Sequence, residues 1–362
     1  MCLNHYSSTS VLHYSMVLRT TDNVQQPTSS AKPTNPGTTG PLVRVENLTV
    51  RYDAGRGGFW GQRFLTVHAV ENVSFDIRPG ETLGLVGESG SGKTTTGRAI
   101  LRRVPVAGGR IVFRGEDITR ASDEDLRPLR RHMQLVFQDP YASLNPRMRI
   151  IDIVAEPLVV HGLVRSSREA AERVSELLDR VGLPPDAGSR YPHAFSGGQR
   201  QRVGIARALA LSPEFIVADE PVSALDVSIR AQIVNLLQDL QRDLGIAYLF
   251  IAHDLAVVRH ISHRIAIMYA GVLMEIAGRD ELYEKPTHPY TQALLSAVPV
   301  PDPKVQRARK RIIYSGEAPN PLNPLPGCRF QNRCPQRTGD CSAQAPALTE
   351  RSPGHWVACW NR

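Results

Sequence analysis

Gly87-Glu88-Ser89-Gly90-Ser91-Gly92-Lys93-Thr94 decides the fold of this 362-residue chain. Glycines at these positions let backbone N–H groups wrap a chain of phosphates. A lysine then reaches the β and γ oxygens, and a threonine hydroxyl is placed for magnesium. The pattern carries that meaning only between a buried strand and a helix. Thr82 to Val86 is a short apolar run ending at Gly87, and Thr94 to Leu101 has helical character. Residues Gly87 to Thr95 are therefore expected to line a nucleoside triphosphate site, with Lys93 on the phosphates and Thr94 on the metal. The loop alone does not choose between adenine and guanine.

Outward from the loop, Phe215 to Ala218, Ala247 to Ala252 and Arg264 to Tyr269 are apolar runs of strand length. Helical patterns separate several of them, which predicts an α/β fold, a phosphate-loop core with a mostly parallel sheet. Leu42 to Tyr52 and Val73 to Ile77 alternate apolar and polar residues, as strands of an antiparallel β portion would. A Gly-rich insertion, Gly55 to Gly61, lies between them and carries Phe59 and Trp60. Residues 141–205 have a different texture. Ala170, Val174, Leu177, Leu178 and Val181 recur at helical spacing, and Ser166 with Glu169 predicts a capping box. This reads as a helical subdomain inserted into the core.

Three further constellations fit phosphate chemistry. Phe215-Ile216-Val217-Ala218-Asp219-Glu220 brings two acids to a strand end. Asp219 is expected to hold magnesium and Glu220 to polarise the attacking water. Standing alone, adjacent acids there would more simply cap the following helix. Phe195-Ser196-Gly197-Gly198-Gln199-Arg200-Gln201 opens a helix, and N–H groups at a helix N-terminus make a second phosphate grip. One chain can hardly fold both grips onto one nucleotide if they sit on different faces. Two subunits head to tail, each closing the other's site, is the economical arrangement.

Together these motifs resemble the ATP-binding cassette family, and from about Pro41 to Trp360 the chain is similar to ATPase subunits of bacterial oligopeptide/dipeptide importers. The resemblance implies further roles. Gln138, in Val136-Phe137-Gln138-Asp139-Pro140, matches the glutamine loop that senses the γ-phosphate and magnesium. Ser196, Gly197, Gly198 and Gln199 match the signature turn that grips the partner's ATP, with Phe195 where the family usually has leucine. Ser223 to Asp226 match the loop joining the two sites across the dimer. His253 matches the histidine that contacts the γ-phosphate and orders the water. Tyr52 is the expected adenine-stacking aromatic. Implied partners are a second, non-identical cassette, two transmembrane permease subunits and an extracytoplasmic binding protein.

The same resemblance covers the C-terminal part. Pro286-Thr287-His288-Pro289-Tyr290-Thr291-Gln292-Ala293-Leu294-Leu295 and Val298-Pro299-Val300-Pro301-Asp302-Pro303 are similar to the extension of peptide-importer ATPases, relatives of which also move nickel or glutathione. The expected organisation is a disordered leader over 1–40, the cassette over 41–285 and the extension over 286–362. Cys328, Cys334, Cys341 and Cys359 lie in a Pro-interrupted segment with little core of its own. In a reducing compartment disulfides are disfavoured, so a metal is the expected staple. Their spacing is not that of a paired zinc ribbon. Similar tails in the family have been associated with an iron–sulfur cluster (4Fe-4S), with zinc and four free thiols as the remaining alternatives.

Composition agrees with a peripheral protein at the cytoplasmic face of the membrane. Apolar residues at 41% suffice for a core, and no apolar run has the length of ~18–20 residues needed to span a bilayer. The net charge of +8 is concentrated after residue 300, where ten Lys or Arg face four Asp or Glu. That basic tail reads as a solvated surface near anionic lipid or partners, with no nucleic acid expected. A soluble cassette ATPase acting on nucleic acid or ribosomes is the rival from another class. It would usually carry two cassettes or a long coiled coil, and neither is present. A redox sensor built on the cysteine tail is a third reading.

Overall fold

The computed structural model describes residues 40–57, 63–139, 141, 143–299, 302–308, 311–317 and 319–362. Residues 1–39 of the expected leader, with Phe59 and Trp60, lie outside them. Two sheets make the frame. Strands β1 (Val43–Gly57), β2 (Arg63–Ile77), β4 (Gly108–Phe113) and β5 (Glu116–Asp117) form an antiparallel sheet in the order β2-β1-β4-β5. The expected insertion is partly strand. Arg56 and Gly57 continue β1 and pair with Phe64 and Arg63, because backbone pairing needs no side-chain pattern.

The larger sheet contains β3 (Thr82–Val86), β6 (Met133–Val136), β7 (Phe215–Asp219), β8 (Ala247–Ala252), β9 (Arg264–Tyr269) and β10 (Val272–Gly278), then β11 (Thr349–Ser352) and β12 (His355–Val357). Its order is β11-β12-β10-β9-β3-β8-β7-β6. The pairs from β6 to β9 are parallel, and β10 to β11 are antiparallel. β3, β7 and β8 are buried along their whole length, as parallel strands covered on both faces must be. Alternate residues serve two cores. Tyr248 and Phe250 face the helical side, whereas Leu249 and Ile251 face the antiparallel sheet and helix α1 (Lys93–Ile100).

After α2 (Asp123–Leu129), residues α3 (Ile150–Val160), α4 (Ser167–Arg180) and α5 (Gly197–Leu209) form the helical portion. Ala170, Val174 and Leu178 are the buried stripe of α4. Its expected capping box is half made. Ser166 Oγ accepts from Glu169 N–H at 3.2 Å, but the Glu169 carboxylate reaches one residue further back, to Arg165 N–H at 2.9 Å. Beyond it, α6 (Val227–Leu244) ends at Gly245, whose φ of 69° supplies the left-handed turn. Then come α7 (Leu255–Ile261), α8 (Arg279–Glu284) and α9 (Pro289–Ser296). No helix among the described residues is long and apolar enough to cross a membrane.

The C-terminal extension departs from expectation. β12 pairs with β10 through Glu275–Val357 and Ile276–Trp356, so the tail extends the ATPase sheet and covers its edge. Nor does the cysteine segment lack a core. Phe330, 1% exposed, inserts among Tyr269, Tyr290, Tyr314 and His288, with ring centroids 5.3 to 5.9 Å away. The segment packs on rings from earlier in the extension and on Tyr269 of the cassette, which composition taken over the cysteine segment alone could not reveal.

Candidate functional site

The phosphate loop joins β3 to α1 under tight steric limits. A Cβ on Gly87 would lie 2.0 Å from Met268 O, and one on Gly92, at φ 100°, would lie 2.3 Å from Ala69 O. Both positions accept only glycine, and together they hold the loop against β9 and β2. Lys93 opens α1. Its ammonium donates to Gly87 O at 2.9 Å, Glu88 O at 2.8 Å and Ser91 Oγ at 3.4 Å. Burial lowers its pKa from the usual lysine value, against the opposing pull of Glu220, Asp219 and Glu88. A triphosphate entering the loop would offer this buried cation stronger partners than carbonyls.

Thr94, in the cavity floor, meets Asp219 at the end of β7. Thr94 Oγ1 donates to Asp219 Oδ1 at 2.8 Å, and burial raises the Asp219 pKa while that hydrogen bond lowers it. A hydroxyl and a carboxylate this close form a hard-oxygen pair suited to magnesium, whose charge would offset the cost of burying the carboxylate.

Glu220 follows β7 in left-handed backbone, φ 47°, which is uncommon for a residue with a Cβ. Its N–H is anchored to Ile251 O at 3.0 Å. The conformation turns the carboxylate toward Gln138 and His253. Gln138 Nε2 donates to Glu220 Oε2 at 3.1 Å, and His253 Nδ1 lies 3.3 Å from the same oxygen. Strain of about 1–3 kcal/mol is commonly stored where it places a functional group. The loops after β6, β7 and β8 thus converge on one oxygen, an arrangement able to hold and polarise water.

Gln138 and Glu220 border a cavity of about 430 Å³ whose floor is Glu88 to Thr95, while Asp219 and His253 reach it only through Thr94 and Glu220. Its other side is Val67 to Ala69 on β2. Tyr52 is not among the cavity walls. It pairs with Val67 across the hairpin, and its ring packs on the core below. Ser196 to Gln199 are also outside the cavity. They cap α5, where Ser196 N–H donates to Gln199 Oε1 at 3.0 Å and Gln199 N–H to Ser196 Oγ at 3.4 Å. The first turn of α5 carries no acid, leaving its N-terminal field free for an anion. A Cβ on Gly198 would fall 2.3 Å from Ile229 Cγ2, so α5 packs closely on α6.

The loop from Ser223 to Asp226 runs between these regions. Ser223 Oγ donates to Glu220 O at 3.1 Å, and Asp226 is the N-cap of α6, its carbonyl accepting from Arg230 N–H at 2.8 Å while its side chain makes no capping bond. Arg230 bridges this loop to the His253 loop through Asp254 at 2.9 Å and Leu225 O at 3.3 Å.

Two residues that motif reading missed grip Glu88. Its N–H donates to Tyr290 OH at 3.1 Å, and Arg333 reaches its carboxylate oxygens at 3.1 and 3.0 Å. Both belong to the C-terminal extension. The signal available was only the presence of an acid inside the phosphate loop.

The four cysteines gather less closely than a metal site requires. Cys328, Cys341 and Cys359 are buried and Cys334 half-buried, all with free thiols. Cys328 N–H donates to Cys341 O at 2.8 Å. Burial, and then the neighbouring thiols, push Cys328 up to about 11, and burial also raises Cys334 and Cys359. Among the described residues no three His, Cys, Asp or Glu side chains converge closely enough to hold a metal ion. The expected four-cysteine ligand set does not fit a metal as arranged here.

Residues 70–223 match the ABC transporter family, and residues 274–341 match the oligopeptide/dipeptide transporter C-terminal region. The oligopeptide transport ATP-binding protein AppF of Bacillus subtilis (strain 168) is 53% identical over 310 residues, 85% of this chain and 94% of AppF. The chain belongs to the ABC transporter ATPase family. As a cassette it binds ATP with magnesium and hydrolyses ATP. Among solved structures, the dimeric post-hydrolysis state of the cassette MJ0796 bound to ADP and Pi is 30% identical with a TM-score of 0.59, covering 66% of this chain and 99% of that one. The cassette cbiO1 of Clostridium perfringens, part of the cbiONQ transporter complex, is 26% identical with a TM-score of 0.58, covering 68% and 91%. Both support the α/β phosphate-loop fold.

Proposed function

We propose that this cassette is the ATPase subunit of a binding-protein-dependent peptide importer, bound peripherally at the cytoplasmic face of the membrane. The observation that carries the reading is the match of residues 274–341 to the oligopeptide/dipeptide transporter C-terminal region. AppF, named for oligopeptide transport, supports it. Two permease subunits would receive the mechanical output, and an extracytoplasmic binding protein would select cargo.

Within the site, Lys93 exchanges carbonyl partners for β and γ oxygens. Thr94 and Asp219, with Gln138, would hold magnesium, which neutralises phosphate charge. Glu220 accepts the proton side of the attacking water, and His253 fixes its oxygen beside the γ-phosphate. Ser196 to Gln199 lie outside their own chain's cavity and would close the partner's, across a dimer joined at Ser223 to Asp226. The partner is a second cassette of similar but different sequence.

Uptake by a deletion strain carrying the parental gene tests the reading, with di- and oligopeptides, glutathione and nickel offered separately. Peptide accumulation supports it. Accumulation of nickel or glutathione alone would overturn the peptide cargo while leaving the machinery intact.

For the tail, an iron–sulfur cluster, with zinc as alternative, would need the four thiols of this region to draw closer than they stand here. Binding would require side-chain movement and loss of the thiol protons. Iron and labile sulfide in the anaerobically purified chain would support the cluster, stoichiometric zinc without iron the alternative. A metal-free protein with an ordered tail would exclude both.

A further inference from the structure

Gln138 and Glu220 mark the γ-phosphate end of the nucleotide cavity, and the phosphate loop forms its floor. A nucleotide laid along that floor must present its ribose and base to the opposite end. The remaining walls of the cavity include Val67 to Ala69 and a strap from the C-terminal extension, Pro319 to Pro321 with Pro324 and Arg329. His68 N–H donates to Pro321 O at 2.9 Å, which ties the strap to β2. The strap lines the cavity whereas Tyr52 does not, its ring packing against the core.

Arg329 is the unusual member of this wall. It is half-buried, and among the described residues its guanidinium makes no hydrogen bond or ion pair. Burial lowers its pKa, and the carboxylate whose charge reaches it is Glu71. Glu71 is already engaged by Arg51 at 2.6 Å and by His68 Nδ1 at 2.9 Å. The contrast with Arg333, four residues on and fully engaged by Glu88, is direct. A planar cation with open donors at the base end suits a purine face or ribose oxygens.

We propose that the C-terminal strap completes the ATP site in cis, with Arg329 as a nucleotide-binding residue that contacts the base or ribose rather than the terminal phosphates. The extension is then part of the ATP site as well as a transporter-specific appendage. This rests on the phosphate-loop cavity being the ATP site.

The test compares ATP with inorganic tripolyphosphate, both with magnesium, binding to the full-length chain. Arg329→Ala is expected to weaken ATP about tenfold, the scale of one desolvated cation–π contact, and to leave tripolyphosphate within about twofold. Arg329→Lys, which keeps charge and stem but loses the planar face, should fall between them while melting like the parent. That second variant carries the test if Arg329→Ala misfolds. Unchanged ATP affinity in both variants, or an equal loss for both ligands, would overturn the proposal. Lys93→Ala serves as the reference and should lose both ligands. If it retains both, the cavity assignment fails independently of Arg329.

Discussion

At the scale of single residues, a few side chains decide what the cavity can do. Glu220→Gln keeps shape and the Gln138 contact while removing charge. It is expected to bind ATP but hydrolyse it on the order of 10²–10⁴-fold more slowly, the usual cost of losing a catalytic base. Steady-state phosphate release measured against equilibrium ATP binding checks this, and parental turnover would remove Glu220 from the role. His355 offers a second prediction. Its Nε2 lies 2.7 Å from Glu275 and its Nδ1 3.1 Å from Glu281, and the hydrogen bond to Glu275 chiefly raises its pKa. A raised folded pKa stabilises fully below the unfolded value, about 6.5. That contribution is lost as pH rises through the folded pKa. His288, buried and pushed down to about 4, is neutral throughout that upper window and does not mask the effect. Melts taken from pH 6.5 upward should therefore fall more in the parent than in His355→Gln; parallel curves would contradict this.

Among elements, legibility followed local chemistry. The β3–loop–α1 unit and the acids after β7 were readable because strand burial, glycine geometry and phosphate charge all act within a few residues. Tyr52 does not reach the cavity wall, for a long-range reason. Its neighbour Val67 belongs to the other strand of the hairpin, and ring direction is set by the core below. β11 and β12 had no readable pattern, since Thr349–Ser352 and His355–Val357 are too short for periodicity and form because β10 offers an edge. Phe330 anchors this arrangement. Phe330→Ala is expected to destabilise the extension by about 3–5 kcal/mol, as large-to-small changes in aromatic cores do. Hydrogen exchange should then rise first over residues 326–343, and an unchanged exchange profile would show that the aromatic cluster does not hold the tail.

For the whole molecule, Ser196 to Gln199 lie outside their own chain's cavity, and on the proposed reading a second chain brings its copy to that site. Ser196 to Gln199 and the Lys93 loop were both visible in sequence, but their separation depends on how the helical portion sits on the sheet. What the sequence hid was the reach of the extension, which contacts the phosphate loop at Glu88 and the cavity at Pro319 to Arg329. The most direct measurement of the central claim is uptake of labelled peptide by a deletion strain complemented with the parental gene or with Glu220→Gln. The account predicts peptide accumulation with the parental gene and none above the deletion background with the variant. Equal accumulation with both would contradict it.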